Sequence, residues 1–504
     1  MVAHVTTVAL SGINAVGVDV QVQVSSGMSS FQIVGLPDNA IRESKERVRS
    51  AFYALGISLP AKRIIVNLSP ADLNKEGSHY DLPVAIGLLI ALKILPQDAA
   101  DEAVFMGELG LDGKLLPVTG VLPAAIYTTS EQLSDLFVPQ KNANEAVWAE
   151  GINVFGADNL EQVIKHLKGE EVLSRTVVKA EQVQALSVPD MQDVKGQESI
   201  KRAAEIAMAG GHNMLMCGCP GSGKSMLAKR MLGLAPQLTS SEALEVSMIH
   251  SVAGLLSEEG IVKARPFRDP HHSASAVALC GGGLKAKPGE MSLAHRGILF
   301  LDELPEFPRQ VLETLRQPLE NGNITVSRAN HHVTYPAKFQ LIAAMNPCPC
   351  GYLGHPSIQC SCSQRQIKSY ISKLSGPLLD RIDIHVEVPA VDMKKLTNVT
   401  TNIEKTDIIS ERVMRAKQVQ QQRYQGTNIS NNSEVMGKQL EEIADLGEEE
   451  RQILDKAGEQ FAFSARGYHR ILRVARTIAD MEGSAKIQRP HLLEALTYRY
   501  IPNH

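Results

Sequence analysis

The sequence predicts an α/β protein in three parts: a mixed α/β domain over residues 1–165, an α/β core over 189–390 and a helical lid domain over 391–504. Three observations carry this prediction. Strand-like and helix-like stretches alternate through the first third of the chain. From Pro189 the pattern becomes helix, strand, glycine-rich loop, helix, and further apolar strands follow as far as Pro389. Beyond that point only helical periodicity remains. At 504 residues the chain is too long for a single core, so several domains are also the prior expectation.

Taken in order, VGVDVQVQVSS (16–26) alternates with period two and predicts a strand, and AIRESKERVRSAFYALG (40–56) has helical periodicity. RIIVNLSP (63–70) reads as a short buried strand, and VFMGELGLDGKLLPV (104–118) as a hairpin turning at Asp112-Gly113. The run LPVAIGLLIALKIL (82–95) is too short for a membrane span, which needs about 20 apolar residues. It also contains Lys93, so it reads as a buried helix. Residues 166–188 are polar without an apolar face and read as a linker. In the last part, helices are expected at 407–425, 438–457, 465–482 and 490–500, with a loop at 426–434.

Composition narrows the classes. A hydrophobic share of 44% with 21% charged residues is that of a globular protein. A net charge of −4 leaves nucleic-acid binding to local patches. Aromatics at 4%, with Trp148 the single tryptophan, argue against gripping single strands mainly by stacking. The N-terminus lacks a basic region followed by an apolar segment, so a cytoplasmic location is expected. Seven cysteines in so long a chain do not suggest a disulfide scaffold, but four of them fall between 348 and 362.

The chemistry concentrates in the core. GCPGSGKS (218–225) fits the phosphate-loop spacing G-x-x-x-x-G-K-[ST], between an apolar strand and a helix. Gly218, Gly221 and Gly223 let backbone N–H groups of the loop, which also includes Cys219, Pro220 and Ser222, converge on phosphates at a helix N-terminus. Lys224 is expected at the β- and γ-phosphates and Ser225 on magnesium. RGILFLDELPEF (296–307) is an apolar strand ending in two acids: Asp302 to hold the magnesium, Glu303 to polarise the attacking water. A chance glycine-rich turn and a strand with solvated carboxylates are the bland readings, and their conjunction makes both minor. FQLIAAMNP (339–347) puts Asn346 where it can sense the γ-phosphate. Arg381 precedes a strand, either to stabilise phosphoryl charge in a neighbouring subunit or to pair with Asp380 or Asp383.

Two further constellations stand apart. Cys348, Cys350, Cys360 and Cys362 form C-x-C-x9-C-x-C, able to present four thiolates to a structural zinc. C-x-C is tighter than the usual zinc loops, which keeps redox-active or unligated cysteines as alternatives, and His355 is a possible substitute ligand. Basic residues gather in 263–287 (Lys263, Arg265, Arg268, Lys285, Lys287), and 323–338 reads as a hairpin tipped by Arg328, His331 and His332. Both are expected to contact DNA phosphates, against the alternative of solvated or subunit-interface loops.

Together with DVKGQ (193–197), RPFRDPHHSAS (265–275), GEMSLAHRGILFLDEL (289–304), AAMNPCPCGY (343–352) and SARGYHRILRVARTIADMEG (464–483), these motifs make the sequence resemble the magnesium-chelatase-like AAA+ ATPases over essentially its whole length. The resemblance implies ATP and Mg2+ as cofactors, Val194 to Gln197 along the adenine, Arg381 as an arginine finger, Arg466 as a second sensor on the C-terminal lid, and a homo-hexameric ring. It also implies the bacterial branch whose members are DNA motors, moving single-stranded and branched DNA in recombination and natural transformation. The first 165 residues resemble the Lon proteolytic domain, but Asp81 stands where the nucleophilic serine belongs and Leu122 where its lysine belongs. Proteolysis is therefore not expected. The competing expectation is a remodelling ATPase acting on a protein partner, as chelatase accessories do; an N-terminal domain added to the ATPase core counts against it.

Overall fold

The structure is a computed structural model, described here for residues 2–177, 189–257, 260–283, 286–328, 331–390, 404–461 and 463–499, with backbone alone for 327, 328, 331, 332 and 461. Lys285, the linker residues 178–188 and the lid residues 391–403 lie outside the described residues.

The N-terminal part is a seven-stranded mixed sheet in the order Ser30–Val34, Arg63–Ser69, Asn14–Ser25, Val2–Ser11, Ala103–Phe105, Asp135–Pro139, Asn153–Ala157. The two longest strands pair antiparallel, with Val5 opposite Val20 and Val8 opposite Gly17. Period-two alternation sends Val18, Val20 and Val22 inward, as a strand with one buried face requires. Helix Asn39–Ala54 starts at Asp38, whose carboxylate accepts the Ile41 N–H at 2.8 Å. It buries Ile41, Ser44, Val48, Ala51 and Phe52, a spacing of three and four residues that makes one stripe. Helix Asp81–Ala91 is buried along nearly its whole length, as its apolar sequence predicts. The hairpin at Asp112-Gly113 forms, with Glu108 opposite Leu116.

The second sheet is parallel throughout, ordered Phe267–Arg268, Ile298–Leu301, Gln340–Met345, Met214–Gly218, Ile384–Val388. Its strands are apolar on both faces. Met214 and Met216 enter one hydrophobic cluster while Leu215 and Cys217 enter another. The first cluster runs on without a break into the C-terminal helices Thr406–Arg423, Gly437–Ala444, Glu448–Phe461, Ala465–Met481 and Arg489–Thr497. The fully buried His212 fastens that junction, with one ring nitrogen 3.2 Å from Asp383 and the other 2.8 Å from the Thr477 hydroxyl. The helix expected at 438–457 is two helices, broken where Asp445 adopts φ +37° just before Gly447.

The N-terminal part and the core meet at a polar seam. Glu145 is buried and accepts from Asn142 at 2.6 Å and from Ser251 Oγ at 2.6 Å, with Ser251 on helix Ser240–Ala253 of the core. The Gly120 N–H reaches the Ser251 carbonyl at 3.1 Å. Burial raises the Glu145 pKa against the pull of those hydrogen bonds.

Candidate nucleotide site

The phosphate loop leaves the carboxyl end of strand Met214–Gly218, between Gln340–Met345 and the edge strand Ile384–Val388, and enters helix Lys224–Met231 through Gly223 at φ +87°. Gly218 is there because nothing larger fits: a Cβ would lie 2.4 Å from the Val388 carbonyl of the adjacent strand. The Lys224 ammonium donates to the carbonyls of Gly218 at 2.7 Å and Cys219 at 3.0 Å, and to Asn346 Oδ1 at 3.3 Å. Burial lowers the Lys224 pKa, while Asp302 opposes that shift. Ser225 Oγ donates to Asp302 Oδ2 at 2.5 Å, and the other Asp302 oxygen accepts the Glu303 N–H at 2.9 Å.

Asp302 and Glu303 follow the parallel strand Ile298–Leu301, and Asn346 follows Gln340–Met345. The edge of a parallel sheet where strands end is where an open α/β fold gathers ligands. Glu303 has φ +52° and a half-exposed side chain, whose carboxylate meets His272 Nδ1 at 3.4 Å. That contact has no signature in sequence spacing. Beside the loop, Gln197, itself at φ +61°, donates to the Ser222 carbonyl at 2.9 Å, while Val194 is buried in the core below. Lys224, Ser225, Asp302, Glu303 and Asn346 are thus drawn from three strand ends into one cluster.

Arg381 and Arg466 form a second group. Both reach Glu320: Arg381 through Nη2 and Arg466 at 3.9 Å. The Asp380 and Asp383 pairings open to Arg381 in the sequence do not form. Asp380 lies 3.8 Å from Arg470, and Asp383 is held by His212 and Arg473. The Arg381 Nε is buried without a hydrogen-bond partner. None of the described contacts brings either arginine to the phosphate loop of its own chain.

Comparison with known proteins decides the family. Models described as "Magnesium chelatase, subunit ChlI", "Subunit ChlI of Mg-chelatase" and "Magnesium chelatase, subunit ChlI C-terminal" match residues 190–396, 20–142 and 403–499. The competence protein ComM of Haemophilus influenzae is 44% identical over 97% of this chain and 95% of its own length. The chain belongs to the magnesium-chelatase ChlI family. Within it, the YifB protein of Escherichia coli is 42% identical over 99% of this chain and 97% of its own. The 38 kDa magnesium-chelatase subunit of Rhodobacter capsulatus is 29% identical over 31% of this chain and 49% of its own. Membership of the family implies ATPase activity dependent on ATP and Mg2+.

The family core carries the four cysteines directly after Asn346. Their sulfurs lie within 4.8 Å of one another. Cys348–Cys350, Cys348–Cys360 and Cys350–Cys360 are 3.4, 3.6 and 3.5 Å apart. A tetrahedron with Zn–S bonds of about 2.3 Å has edges of about 3.8 Å, close to these separations. Backbone N–H groups of Tyr352 and Ser361 draw the Cys350 thiol down to about 5, into the thiolate range, whereas burial pushes Cys348 up. His355 is turned to its own loop, its Nδ1 accepting from the Ser357 and Ile358 N–H groups, and stands outside the cluster.

Both insertions fold as hairpins. Asn323–Arg328 pairs with His331–Pro336, and Gly281–Gly282 with Lys287–Pro288. Tyr335 Oη donates to the Ala286 carbonyl at 2.9 Å, so the two stand side by side. Lys287 is exposed. The side chains of Arg328, His331 and His332 lie outside the described residues. Arg265 and Arg268, expected among the phosphate contacts, are spent inside the protein. Arg265 donates to the Pro236 and Arg296 carbonyls and to Glu242, and Arg268 forms a two-point pair with Glu290 at 2.6 and 2.8 Å.

The positions that match the Lon nucleophile and lysine are packed inside the N-terminal part. Asp81 is completely buried and takes Ser44 Oγ, the Arg47 guanidinium and the Leu109 N–H. Leu122 is buried, Ser78 Oγ donates to Glu108 and the Lys75 ammonium to the Pro70 carbonyl. No serine–lysine pair forms among the described contacts of this region. Among the described residues, no helix is long and apolar enough to cross a membrane.

Proposed function

We propose that the protein is an ATP-driven motor on DNA, working as a homo-hexameric ring that promotes branch migration or strand separation during recombination and uptake of transforming DNA. The observation carrying this reading is the division of the site: Lys224, Ser225, Asp302, Glu303 and Asn346 meet in one cluster, while Arg381 and Arg466 meet elsewhere at Glu320. In the reaction, Lys224 bridges the β- and γ-phosphates, Ser225 and Asp302 hold Mg2+, Glu303 orients the water and Asn346 senses the γ-phosphate. Residues 218–223 cradle the phosphates, and the segment from Val194 to Gln197 borders the adenine. Arg381, the arginine finger, completes the nucleotide site of the adjoining subunit and Arg466 is the second sensor on the lid; a site shared between subunits makes a closed ring the economical assembly.

The paired insertions, with Lys287 beside the hairpin carrying Arg328, His331 and His332, are the parts that track DNA phosphates; Lys285 belongs to the same loop. Cys348, Cys350, Cys360 and Cys362 hold a structural zinc, all four positions being filled by thiolates. The near-full-length likeness to a competence protein supports the DNA reading. A chelatase-type accessory is the competing reading. The N-terminal part does not separate the two, because a family model named for ChlI covers residues 20–142. The extent of likeness favours the first, since two chelatase subunits match 31% and 39% of this chain.

The test is ATP hydrolysis with and without single-stranded DNA, on wild type and Lys224→Ala. DNA-stimulated turnover that falls at least about 10³-fold in the mutant is expected, because the lysine carries both charge and phosphate contacts. A rate indifferent to DNA would move the assignment to a protein partner.

A further inference from the structure

The chain from Cys348 to Cys362 contains only turns and bends, so its shape depends on what joins its four sulfurs. This knuckle touches the nucleotide site at two points. At its start is Asn346, whose Oδ1 accepts from Lys224. Within it, Gly351 sits at φ +85° with its Cα against the phosphate loop: a Cβ there would lie 2.6 Å from both Cγ and Cδ of Pro220. At its far end Cys362 runs directly into Ser363, the cap of helix Gln364–Ile371, where Ser363 Oγ accepts the Gln366 N–H at 3.3 Å. Tyr370 of that helix is buried in the same hydrophobic cluster as Met345, the residue before Asn346. The knuckle is therefore wedged between a helix and the loop that receives the phosphates, and Cys348 is completely buried in that wedge.

We propose that the ion held by the four thiolates governs ATP affinity, fixing the knuckle against Pro220 and Asn346 so that loss of the ion loosens the phosphate loop. The inference rests on the metal-site reading of the cluster and adds to it a control point on the nucleotide. A soft, thiolate-preferring divalent ion of the zinc type is the ligand.

In the test, zinc is measured in the full chain as purified, after stripping with a zinc-selective chelator, and after zinc is returned. Magnesium is restored throughout, and binding of a fluorescent methylanthraniloyl-ATP is titrated in each state. Stripping is expected to raise Kd about tenfold or more, reversibly, with the far-ultraviolet circular dichroism unchanged. Gly351→Ala is expected to keep its zinc and still bind nucleotide more weakly, because the new methyl group pushes Pro220 away. Zinc-free, folded protein with the wild-type Kd overturns the coupling while leaving the metal site intact. A chain that contains no zinc as purified and takes up none when offered overturns the metal reading and the proposal with it. If stripping unfolds the protein, Gly351→Ala decides: an unchanged Kd there overturns the coupling.

Discussion

Asp81 and Asp302 are both carboxylates beside a serine, yet they sit in opposite kinds of pocket. Asp81 is fully buried, and Ser44, Arg47 and the Leu109 amide occupy its oxygens. Asp302 is partly exposed at a strand end, with Ser225 on one oxygen and the following amide on the other, and Glu303 and Lys224 close by. A carboxylate with all its bonds supplied from inside has a structural task. One that faces solvent beside a lysine and a hydroxyl has capacity left for an ion. The difference between these two carboxylates is in satisfaction of hydrogen bonds rather than in residue type.

The sharpest way to break that contrast is Asp81→Ala. It removes the buried carboxylate that Arg47, Ser44 and the Leu109 amide all share, leaving Arg47 with the Ala40 carbonyl and Glu43, and should cost about 3 kcal/mol, read by denaturant unfolding. The ATP cluster of any protein that still folds should be unaffected. Next, Glu303→Gln should slow hydrolysis about 10²-fold while ATP binding and the melting temperature stay at wild-type values. A Glu303→Gln protein that turns over normally would remove the glutamate from its role.

Acid tests both halves at once. Burial holds His79 in the first half and His385 in the second at about 4, below the usual imidazole value of about 6.5. The folded-state pKa is depressed, so the unfolded chain binds the extra proton as pH falls from about 6.5 to 4, and stability is lost across that window. Each histidine should cost about 2 kcal/mol by pH 5, seen as falling transitions in calorimetry. His79→Gln should flatten the pH dependence of the first half alone. The smallest effect belongs to Glu320→Ala: the carboxylate is half-exposed and the mostly buried Arg381 keeps its bond to the Pro377 carbonyl, so stability should fall by only about 1 kcal/mol. If the ring reading holds, it should nevertheless alter hydrolysis, by freeing Arg381 and Arg466.

What could be read from the sequence was whatever chemistry lies close together along the chain. The phosphate loop, the two acids after an apolar strand, the cysteine pairs and the hairpin at 323–338 are local patterns, and each recurs in the structure; the pairing of Gly281–Gly282 with Lys287–Pro288 did not show in the sequence. The α/β class followed from alternation and glycine placement in the same way. Contacts between distant segments had no such trace. Nothing near Glu320 marks it as the meeting point of Arg381 and Arg466, and nothing near Gly351 points to Pro220. The break at Asp445 did leave a signal in the following Gly447, but the apolar periodicity on either side concealed it. Arg265 and Arg268 read as surface charge because sequence does not show Glu242 and Glu290 folding onto them.

The seam around Glu145 bears on how the protein can be divided. Gly260 approaches the Asn144 carbonyl so closely that a Cβ would lie 2.1 Å from it, and Ser251 gives both its carbonyl and its hydroxyl to residues before position 150. A fragment beginning at the phosphate-loop part would expose that polar strip to water on the flank of helix Ser240–Ala253. The shortened chain would differ from the parent in its remaining half as well as in the missing one. A survey of inactivating substitutions should accordingly find Gly260 among its hits, in a residue that never approaches the nucleotide.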